Sequence, residues 1–268
     1  MITLEFVYVL MGIMMAGVAV VNLRDRTSRK RYNNAAFWGI YALTFLAGSR
    51  LPSFVNGLLV IGMVVIAAVG KLGGPPTERT TRAEREASAA RWGNRLFIPA
   101  LTIPAVTLLG TMTLKTMHLN GLPLIDVKQV TLISLGLSTV VALAIGMAML
   151  RPPASAPIIE ARRLMDAVSW AAVLPQMLAA LGAMFALAGV GPIVAGILER
   201  WIPLDTPFVV VLTYTVGMAL FTSIMGNAFA AFPVMTAGIG LPLIVQRFGG
   251  DVVVMLTAPI TYGQGIIL

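Results

Sequence analysis

The sequence predicts an all-α, polytopic transmembrane protein with about eight or nine hydrophobic segments, and three observations support this. Of the 268 residues, 58% are hydrophobic and only 11% are charged, against roughly 25% charged residues in a soluble domain. The charges are bunched between apolar runs close to the ~20 residues that a helix needs to cross a bilayer. These runs are apolar on every face, whereas strands of a membrane barrel would alternate. Since lipid offers backbone groups no partner, the runs are expected to form helices.

Nine apolar segments are candidate membrane spans. The first has no basic residue before it and is followed at once by Arg24 and Arg26. A signal peptide carries its positive charge first, so this segment is expected to be an uncleaved helix with an external N-terminus. The nine segments are 2–23, 35–48, 53–70, 96–114, 130–150, 168–187, 208–225, 228–245 and 252–268.

The basic residues predict the orientation of the chain. Loops 24–34, 71–95 and 151–166 hold fourteen of the nineteen Lys and Arg residues. If every segment up to residue 187 crosses, all three loops lie on the same side, which the positive-inside rule makes the cytoplasm. The net charge of +8 is therefore interpreted as topological, and no nucleic-acid partner is expected. Residues 77–91 are expected to form a short surface helix, for which anionic headgroups are favoured over a protein partner.

The residues that carry covalent chemistry are scarce. There is no cysteine, which excludes disulfides, thiolate metal sites and cysteine nucleophiles. The single histidine, His118, has no set of metal-ligating residues around it in the sequence. An intramembrane enzyme would need a nucleophile–base pair or a metal cluster, and the sequence offers neither. The sequence therefore predicts a protein that is not an enzyme and has no metal site and no cofactor.

The chain is predicted to be one integral membrane domain, 1–268, whose composition changes at Asp166. The helices of 1–165 precede a C-terminal part, 166–268, which contains a broken-helix motif. Asp166 itself follows two arginines and is expected at a helix start, as a cap or an interfacial partner. Gly226 and Asn227 separate two apolar runs of roughly 18 residues. Glycine frees the backbone, and asparagine tolerates left-handed geometry while supplying donors and an acceptor.

This break is the candidate substrate site. Freed N–H groups at the start of a half-helix carry partial positive charge and attract a carboxylate, and hydroxyls or carboxamides can orient it. The alternative is an ordinary surface loop in which small residues serve helix packing. Gln176 is more readily a helix–helix hydrogen-bonding residue than a substrate contact. The predicted substrate-binding residues are Thr222, Ser223, Gly226, Asn227, Thr236 and Gln176.

Two topologies remain open for 208–245: a re-entrant hairpin with Gly226 and Asn227 at membrane depth, or two full spans. Each arm is long enough to cross at ~1.5 Å per residue, so length does not decide. The absence of a fourth basic cytoplasmic loop favours the hairpin. No acidic residue lies within 208–245, so this region offers no carboxylate proton relay.

Three runs carry a family resemblance: DAVSWAAVLPQMLAALG at 166–182, GMALFT at 217–222 and MGNAFAAFPVMTAGIG at 225–240. Together they resemble the larger membrane subunit, a domain of unknown function, of the bacterial two-subunit pyroglutamate (5-oxoproline) transporter family. The resemblance implies a permease subunit in the bacterial plasma (inner) membrane that takes up a small carboxylate. It also implies a separately encoded second membrane subunit, with a coupling ion as a further partner. The alternative function is a non-transporting scaffold or assembly subunit of such a carrier.

The resemblance extends from residue 1 to about residue 250. Beyond that point the family continues with a Gly/Thr/Pro/Asn-rich motif and a polar tail. Here the chain reads TAPITYGQG at 257–265 and ends at Leu268. A truncated or frame-altered product is the expectation from this difference.

Overall fold

A computed structural model describes residues 2–70, 72–73, 81–119, 122–225 and 228–255. The chain divides into two compact units, Met1–Trp170 (unit 1) and Ala171–Leu268 (unit 2). The helices of unit 1 are α1 (Leu4–Arg24), α2 (Arg31–Ala47), α3 (Ser53–Gly70), α4 (Arg82–Trp92), α5 (Phe97–Thr113), α6 (Val130–Leu150) and α7 (Ala156–Val168). The helices of unit 2 are α8 (Leu174–Leu187), α9 (Val190–Glu199), α10 (Pro207–Met225), α11 (Ala228–Met235) and a π-helix, Thr236–Arg247.

The fold is all-α and is that of a multi-pass membrane protein. In the described part of the chain, four helical stretches are long and apolar enough to cross a bilayer. Two of the predicted spans, 53–70 and 130–150, coincide with helices α3 and α6 residue for residue. The four stretches are Leu4–Arg24, Ser53–Gly70, Arg82–Thr113 and Val127–Leu150.

Short non-α segments connect these helices. A 3-10 helix, Gly93–Leu96, joins α4 to α5, and another, Val127–Gln129, precedes α6. Between α5 and α6, strand β1 (His118–Leu119) pairs antiparallel with strand β2 (Leu122–Pro123). The backbone of Ile2 also exchanges hydrogen bonds with Leu124 and Asp126, which ties the N-terminus to this connection.

Helix α4 is the surface helix that the composition of 77–91 predicts, with its start at Arg82. Thr81 and Glu84 form a capping box: the Glu84 N–H donates to Thr81 Oγ1 at 3.2 Å, and the Thr81 N–H donates to Glu84 Oε2 at 2.8 Å. This reciprocal pairing satisfies two of the free donors at the helix start and fixes where it begins. None of its residues is buried.

Unit 1 is held together by close helix approaches at glycine. Helix α1 packs along α2, α6 and α7, and α5 packs on α6. A Cβ added at Gly136 of α6 would lie 2.7 Å from Val7 Cγ2 of α1, and one added at Gly110 of α5 would lie 2.8 Å from Ser134 Oγ of α6. Small residues let membrane helices approach closely enough for backbone and side chains to make van der Waals contact.

We expect Gly136→Ala to destabilise unit 1 by about 1–3 kcal/mol, because the new methyl group overlaps Val7 in a packed interface. Gly146→Ala is the matched control on the same helix, since its Cβ would meet only Pro99 at ordinary contact distance, 3.8 Å. There the gain in helix propensity should leave stability unchanged or raise it by up to ~1 kcal/mol. Unfolding of the purified protein in mixed micelles measures both. Equal effects of the two substitutions would contradict the close approach at Gly136.

Unit 2 is built around α11. This helix packs on α8, α9, α10 and the π-helix, and the π-helix also packs on α9 and α10. The core of unit 2 includes Tyr214 and Met218 of α10, Met235 of α11 and Ile239 of the π-helix, all nearly inaccessible to solvent. The full buried cluster is Leu204, Val210, Tyr214, Met218, Ala231, Met235, Ile239, Leu243 and Met255.

One predicted span is shorter than expected. The sequence predicts a segment from 168 to 187, but α7 ends at Val168, a 3-10 turn covers Ser169–Val173 and α8 begins only at Leu174. Ser169 has a positive φ of 57°, which ends α7. The fourteen residues of α8 extend about 21 Å at 1.5 Å per residue, less than the ~30 Å apolar core of a bilayer. Gly189, with a φ of 68°, then separates α8 from α9.

Candidate functional sites

The predicted substrate-binding residues do not form one cluster within the described residues. Thr222 and Ser223 are neighbours on α10, but Thr222 is fully buried and Ser223 is exposed. Gln176 lies on α8 with its side chain exposed. Gly226 and Asn227 lie outside the described residues, and so does the tip of the hairpin proposed for 208–245. Thr236, the first residue of the π-helix, is half-buried.

Thr222 is the unusual member of this set. Its Oγ1 atom is buried and has no hydrogen-bond partner in the described structure. Hydroxyls elsewhere in these helices return to the carbonyl four residues earlier: Thr107 Oγ1 donates to the Ile103 carbonyl at 2.7 Å and Ser223 Oγ to the Ala219 carbonyl at 2.9 Å. A buried hydroxyl without a partner costs about 1–3 kcal/mol. A buried hydroxyl without a partner in a native fold therefore calls for an explanation, and hydrogen bonding to a bound ligand is one.

Three other buried polar atoms of the described residues lack a partner, all in unit 1. Asn56 Oδ1 and Ser169 Oγ are two of them, and the Asn56 amide is engaged, donating to the Gly48 carbonyl at 2.8 Å. The third, Ser134 Oγ, lies against the close approach at Gly110. Thr222 alone combines a free buried hydroxyl with a position next to the predicted helix break.

A pair of hydroxyl groups joins α10 to the first residue of the π-helix. Tyr214 Oη and Thr236 Oγ1 are 3.3 Å apart, and either can be the donor. Tyr214 precedes Thr222 by eight residues, which is about 12 Å along an α-helix. The close approach of the Tyr214 ring depends on Gly240, where an added Cβ would lie 3.1 Å from Tyr214 Cε2. The Tyr214–Thr236 pair and the Thr222 hydroxyl are therefore at separate levels of α10 and do not converge on a single point.

The backbone of the segment that packs on α10 is irregular. Thr236–Arg247 forms a π-helix of twelve residues with Pro242 inside it. π-Helical hydrogen bonding is rare, occurs mostly as single turns and is frequent at functional sites. Proline removes a further backbone donor. This segment therefore departs from α-helical hydrogen bonding, and it packs directly on α10.

The best-formed polar cluster lies elsewhere, in unit 1, and we call it the ion cluster; its members are Asn22, Asp25, Asn34, Trp38, Arg162 and Asp166. Arg162 is its centre. The Arg162 Nη2 atom donates to Asp25 Oδ2 at 2.6 Å, and Nε lies 3.2 Å from both Asp166 Oδ2 and Asn22 Oδ1. The side chains of Arg162, Asp25 and Asp166 are only 16%, 15% and 10% exposed.

The Asp166 carboxylate is satisfied from three helices. Trp38 Nε1 of α2 and Asn22 Nδ2 of α1 donate to Oδ1 at 3.0 and 3.1 Å, and Arg162 of α7 occupies Oδ2. Next to it, the Gly73 N–H donates to Asn34 Oδ1 at 3.1 Å. A Cβ at Gly73 would lie 2.9 Å from the Asp166 carbonyl oxygen. The ion cluster therefore joins α1, α2, α7 and the segment after α3, and each of its three charged side chains has hydrogen-bond partners within the cluster.

Sequence reasoning missed this cluster. Asp166 was expected at a helix start, but it lies near the end of α7, and its partners are Trp38, Asn22 and Arg162. Arg162 was counted only as a topological charge. One available signal was the pair of asparagines inside or beside long apolar runs, because polar side chains in such runs need partners.

The Asp25 carboxylate lies just beyond the end of α1, outside the span. Hydrogen bonds from the Thr27 hydroxyl and from Arg162 hold the pKa of Asp25 well below its usual range. The folded pKa is thus lower than the unfolded value of about 3.9. The stabilisation is fully present above pH ~4 and is lost as pH falls through the lower folded value.

We expect the wild-type protein to lose stability steadily as the pH is lowered from about 4 to about 2, and Asp25→Asn to make that loss shallower, because the amide does not titrate. Unfolding midpoints measured across this pH range test it. Glu160→Gln is the control, since Glu160 makes an exposed ion pair with Arg163. Identical pH profiles for wild type and Asp25→Asn would contradict the assignment.

The fold and the polar residues define a class: an all-α, multi-pass membrane protein with buried polar clusters. A sequence model of the family described as "Protein of unknown function (DUF979)" matches residues 5–265. The chain belongs to this family. No curated protein and no solved structure matches it significantly.

Proposed function

We propose that this chain is the membrane permease subunit of a carrier for a small carboxylate, with pyroglutamate (5-oxoproline) as the substrate to test first. The observation that carries the proposal is the unpartnered, fully buried hydroxyl of Thr222 on α10. A carrier site needs polar groups at membrane depth that are free to bind in the absence of substrate. Transporters commonly place such groups where helices are interrupted, and α10 ends at Met225, three residues after Thr222.

The π-helix, Thr236–Arg247, supports the same function. Recognition of a small polar molecule requires backbone or hydroxyl groups that are not committed to a regular helix. The π-helix with its internal proline and the Tyr214–Thr236 pair supply them beside α10. A carrier performs no covalent chemistry, and the described residues hold no group of three or more His, Cys, Asp or Glu side chains that could bind a metal ion.

A scaffold subunit is the second candidate, and the ion cluster favours it. Its charges and amides are paired with one another across four segments. A fully paired buried cluster fixes a structure and leaves little for a substrate to bind. If the chain only assembled a carrier, Thr222 would have no ligand and its substitution would not alter transport.

The proposed location is the bacterial inner membrane, with the N-terminus outside and loops 24–34, 71–95 and 151–166 in the cytoplasm. Because the chain has no cysteine, single cysteines at Ser28, Ser88 and Ser155 report on each loop separately. We expect all three to resist an impermeant thiol reagent in intact cells and to react after permeabilisation, as the positive-inside rule requires. Reaction of all three from outside would reverse the orientation.

The decisive experiment for the function is uptake of labelled 5-oxoproline into vesicles containing this chain with its proposed partner subunit, or either alone. Saturable uptake that requires both subunits is the expected result. Uptake that requires both subunits but is unchanged by Thr222→Val would favour the scaffold. Robust uptake by this chain alone would contradict the two-subunit proposal.

A further inference from the structure

We propose that the substrate site at Thr222 also binds a monovalent alkali cation, with Na⁺ as the test ion, which enters together with the substrate carboxylate. This inference rests on the proposed carrier function. It adds the chemistry of coupling, and it follows from what the segments around Thr222 contain and lack.

The segments around Thr222 carry no ionisable charge. From residue 206 to residue 246 the sequence contains no Asp, Glu, Lys, Arg or His. The next charged residues along the sequence on either side are Asp205 and Arg247, which lie 3.6 Å from each other, just before α10 and at the last residue of the π-helix. Thr222 is fifteen residues after the start of α10, about 22 Å along the helix. That ion pair therefore cannot neutralise a ligand at Thr222.

An anion transferred into such a site would be uncompensated. Burying an isolated carboxylate away from water is strongly unfavourable unless it is paired. A helix N-terminus would supply the equivalent of only about half a positive charge. A co-bound monovalent cation supplies the missing charge, and the pair of ligands then enters the site close to neutral.

Proton coupling does not solve the same problem here. Tyr214 is the only titratable side chain in 206–246, and an ordinary phenol, with a pKa near ~10, stays protonated at neutral pH. A substrate carboxyl with a pKa near ~4 is protonated in only about one molecule in a thousand at pH 7. Neither the side chains of these segments nor the substrate can carry the proton efficiently.

The available ligand chemistry fits a hard monovalent ion. The Thr222 hydroxyl is a neutral oxygen without a partner, and the substrate carboxylate adds charged oxygens. Divalent ions such as Ca²⁺ are usually held by several protein carboxylates, which 206–246 does not have. A monovalent ion is satisfied by neutral oxygens and one carboxylate, so the ion and the substrate complete each other's site.

The test uses the two-subunit complex in proteoliposomes and measures labelled 5-oxoproline uptake with NaCl, KCl or choline chloride outside. We expect Na⁺ to stimulate uptake at least about tenfold over choline, and an inward pH gradient without Na⁺ to have no such effect. Thr222→Val should raise the half-saturating Na⁺ concentration about tenfold, as loss of one ligand of a charged species implies. Thr222→Ser, which keeps the hydroxyl, should restore a half-saturating Na⁺ concentration close to that of wild type, and Thr215→Val, which removes an exposed hydroxyl already bonded to its own helix, should stay within about twofold of wild type.

A second measurement does not depend on transport. With 5-oxoproline present, NaCl, compared with choline chloride at equal ionic strength, should raise the unfolding temperature of the wild-type complex and not that of Thr222→Val. Full-rate uptake in choline, or uptake driven by a pH gradient alone, would overturn the cation site and leave the carrier function standing. Absence of uptake under every gradient would overturn the carrier function, and the cation site with it.

Discussion

Replacing Arg162 with methionine is expected to destabilise unit 1 by roughly 3–5 kcal/mol, the cost of leaving buried charges without their partner. Methionine retains much of the length and apolar packing of the arginine side chain but not the guanidinium. Asp25 would lose its 2.6 Å contact, and Asp166 would keep only Trp38 and Asn22 as donors. The two carboxylates are only 15% and 10% exposed, so solvent can replace only part of the missing charge.

Arg163→Met is the matched control for this substitution. Arg163 is the next residue of α7, but its side chain is 41% exposed and pairs with Glu160 at the surface. Exposed pairs of this kind contribute only about 0–1 kcal/mol. Unfolding in mixed micelles compares the two variants, and adding Asp166→Asn to Arg162→Met should restore part of the loss. Equal, small effects of both arginine substitutions would show that the ion cluster does not hold the helices together.

The spans could be predicted from the sequence because a membrane helix is encoded locally. Residues 53–70 and 130–150 are continuous apolar runs bounded by polar or helix-breaking residues, and the structure places α3 and α6 there without a shift. The apolar composition of 168–187 likewise predicts one continuous span. This prediction is wrong because Ser169 adopts a positive φ and divides α7 from α8, and hydrophobicity does not reveal that backbone conformation.

The ion cluster could not be predicted because its contacts are distant in sequence. Asn22 and Asp166 are 144 residues apart, and Trp38 and Asp166 are 128 apart. Each residue alone is an ordinary polar group near the end of an apolar run. Only the packing of α1 against α2 and α7 brings them together, and no spacing rule within the sequence specifies that arrangement.

The candidate substrate site was predictable only by residue type. Thr222 and Ser223 are equivalent in the sequence as small hydroxyl residues beside a glycine–asparagine break. The structure separates them by helix face: Ser223 is exposed and bonded to its own helix, while Thr222 is buried and unbonded. A one-residue difference is 100° around a helix of 3.6 residues per turn, and without the packing partner the inward face is unknown.

The two units use polar groups differently. In the ion cluster of unit 1, the buried carboxylates and amides have partners from neighbouring helices. In unit 2, the buried polar residue Thr222 is unpartnered, and the segment packed on α10 is π-helical. Saturated polar clusters rigidify a fold, whereas binding needs groups that are not already satisfied. The ion cluster is thus suited to maintain the architecture, and in the proposed function the Thr222 hydroxyl is the group that binds.

Thr222→Val is expected to change stability and transport in opposite directions. Valine nearly matches the shape of threonine and removes the buried, unpartnered hydroxyl, so the ligand-free protein should be as stable as wild type or up to about 1–2 kcal/mol more stable. Uptake at limiting substrate should fall at least about tenfold, because the ligand loses its hydrogen-bonding or coordinating oxygen.

Thr215→Val on the same helix is the control, since Thr215 is exposed and its Oγ1 already donates to the Val211 carbonyl at 2.9 Å. That variant should leave uptake unchanged. A Thr222→Val protein that is clearly less stable and transports normally would show that the hydroxyl serves packing, and the substrate site would have to lie elsewhere.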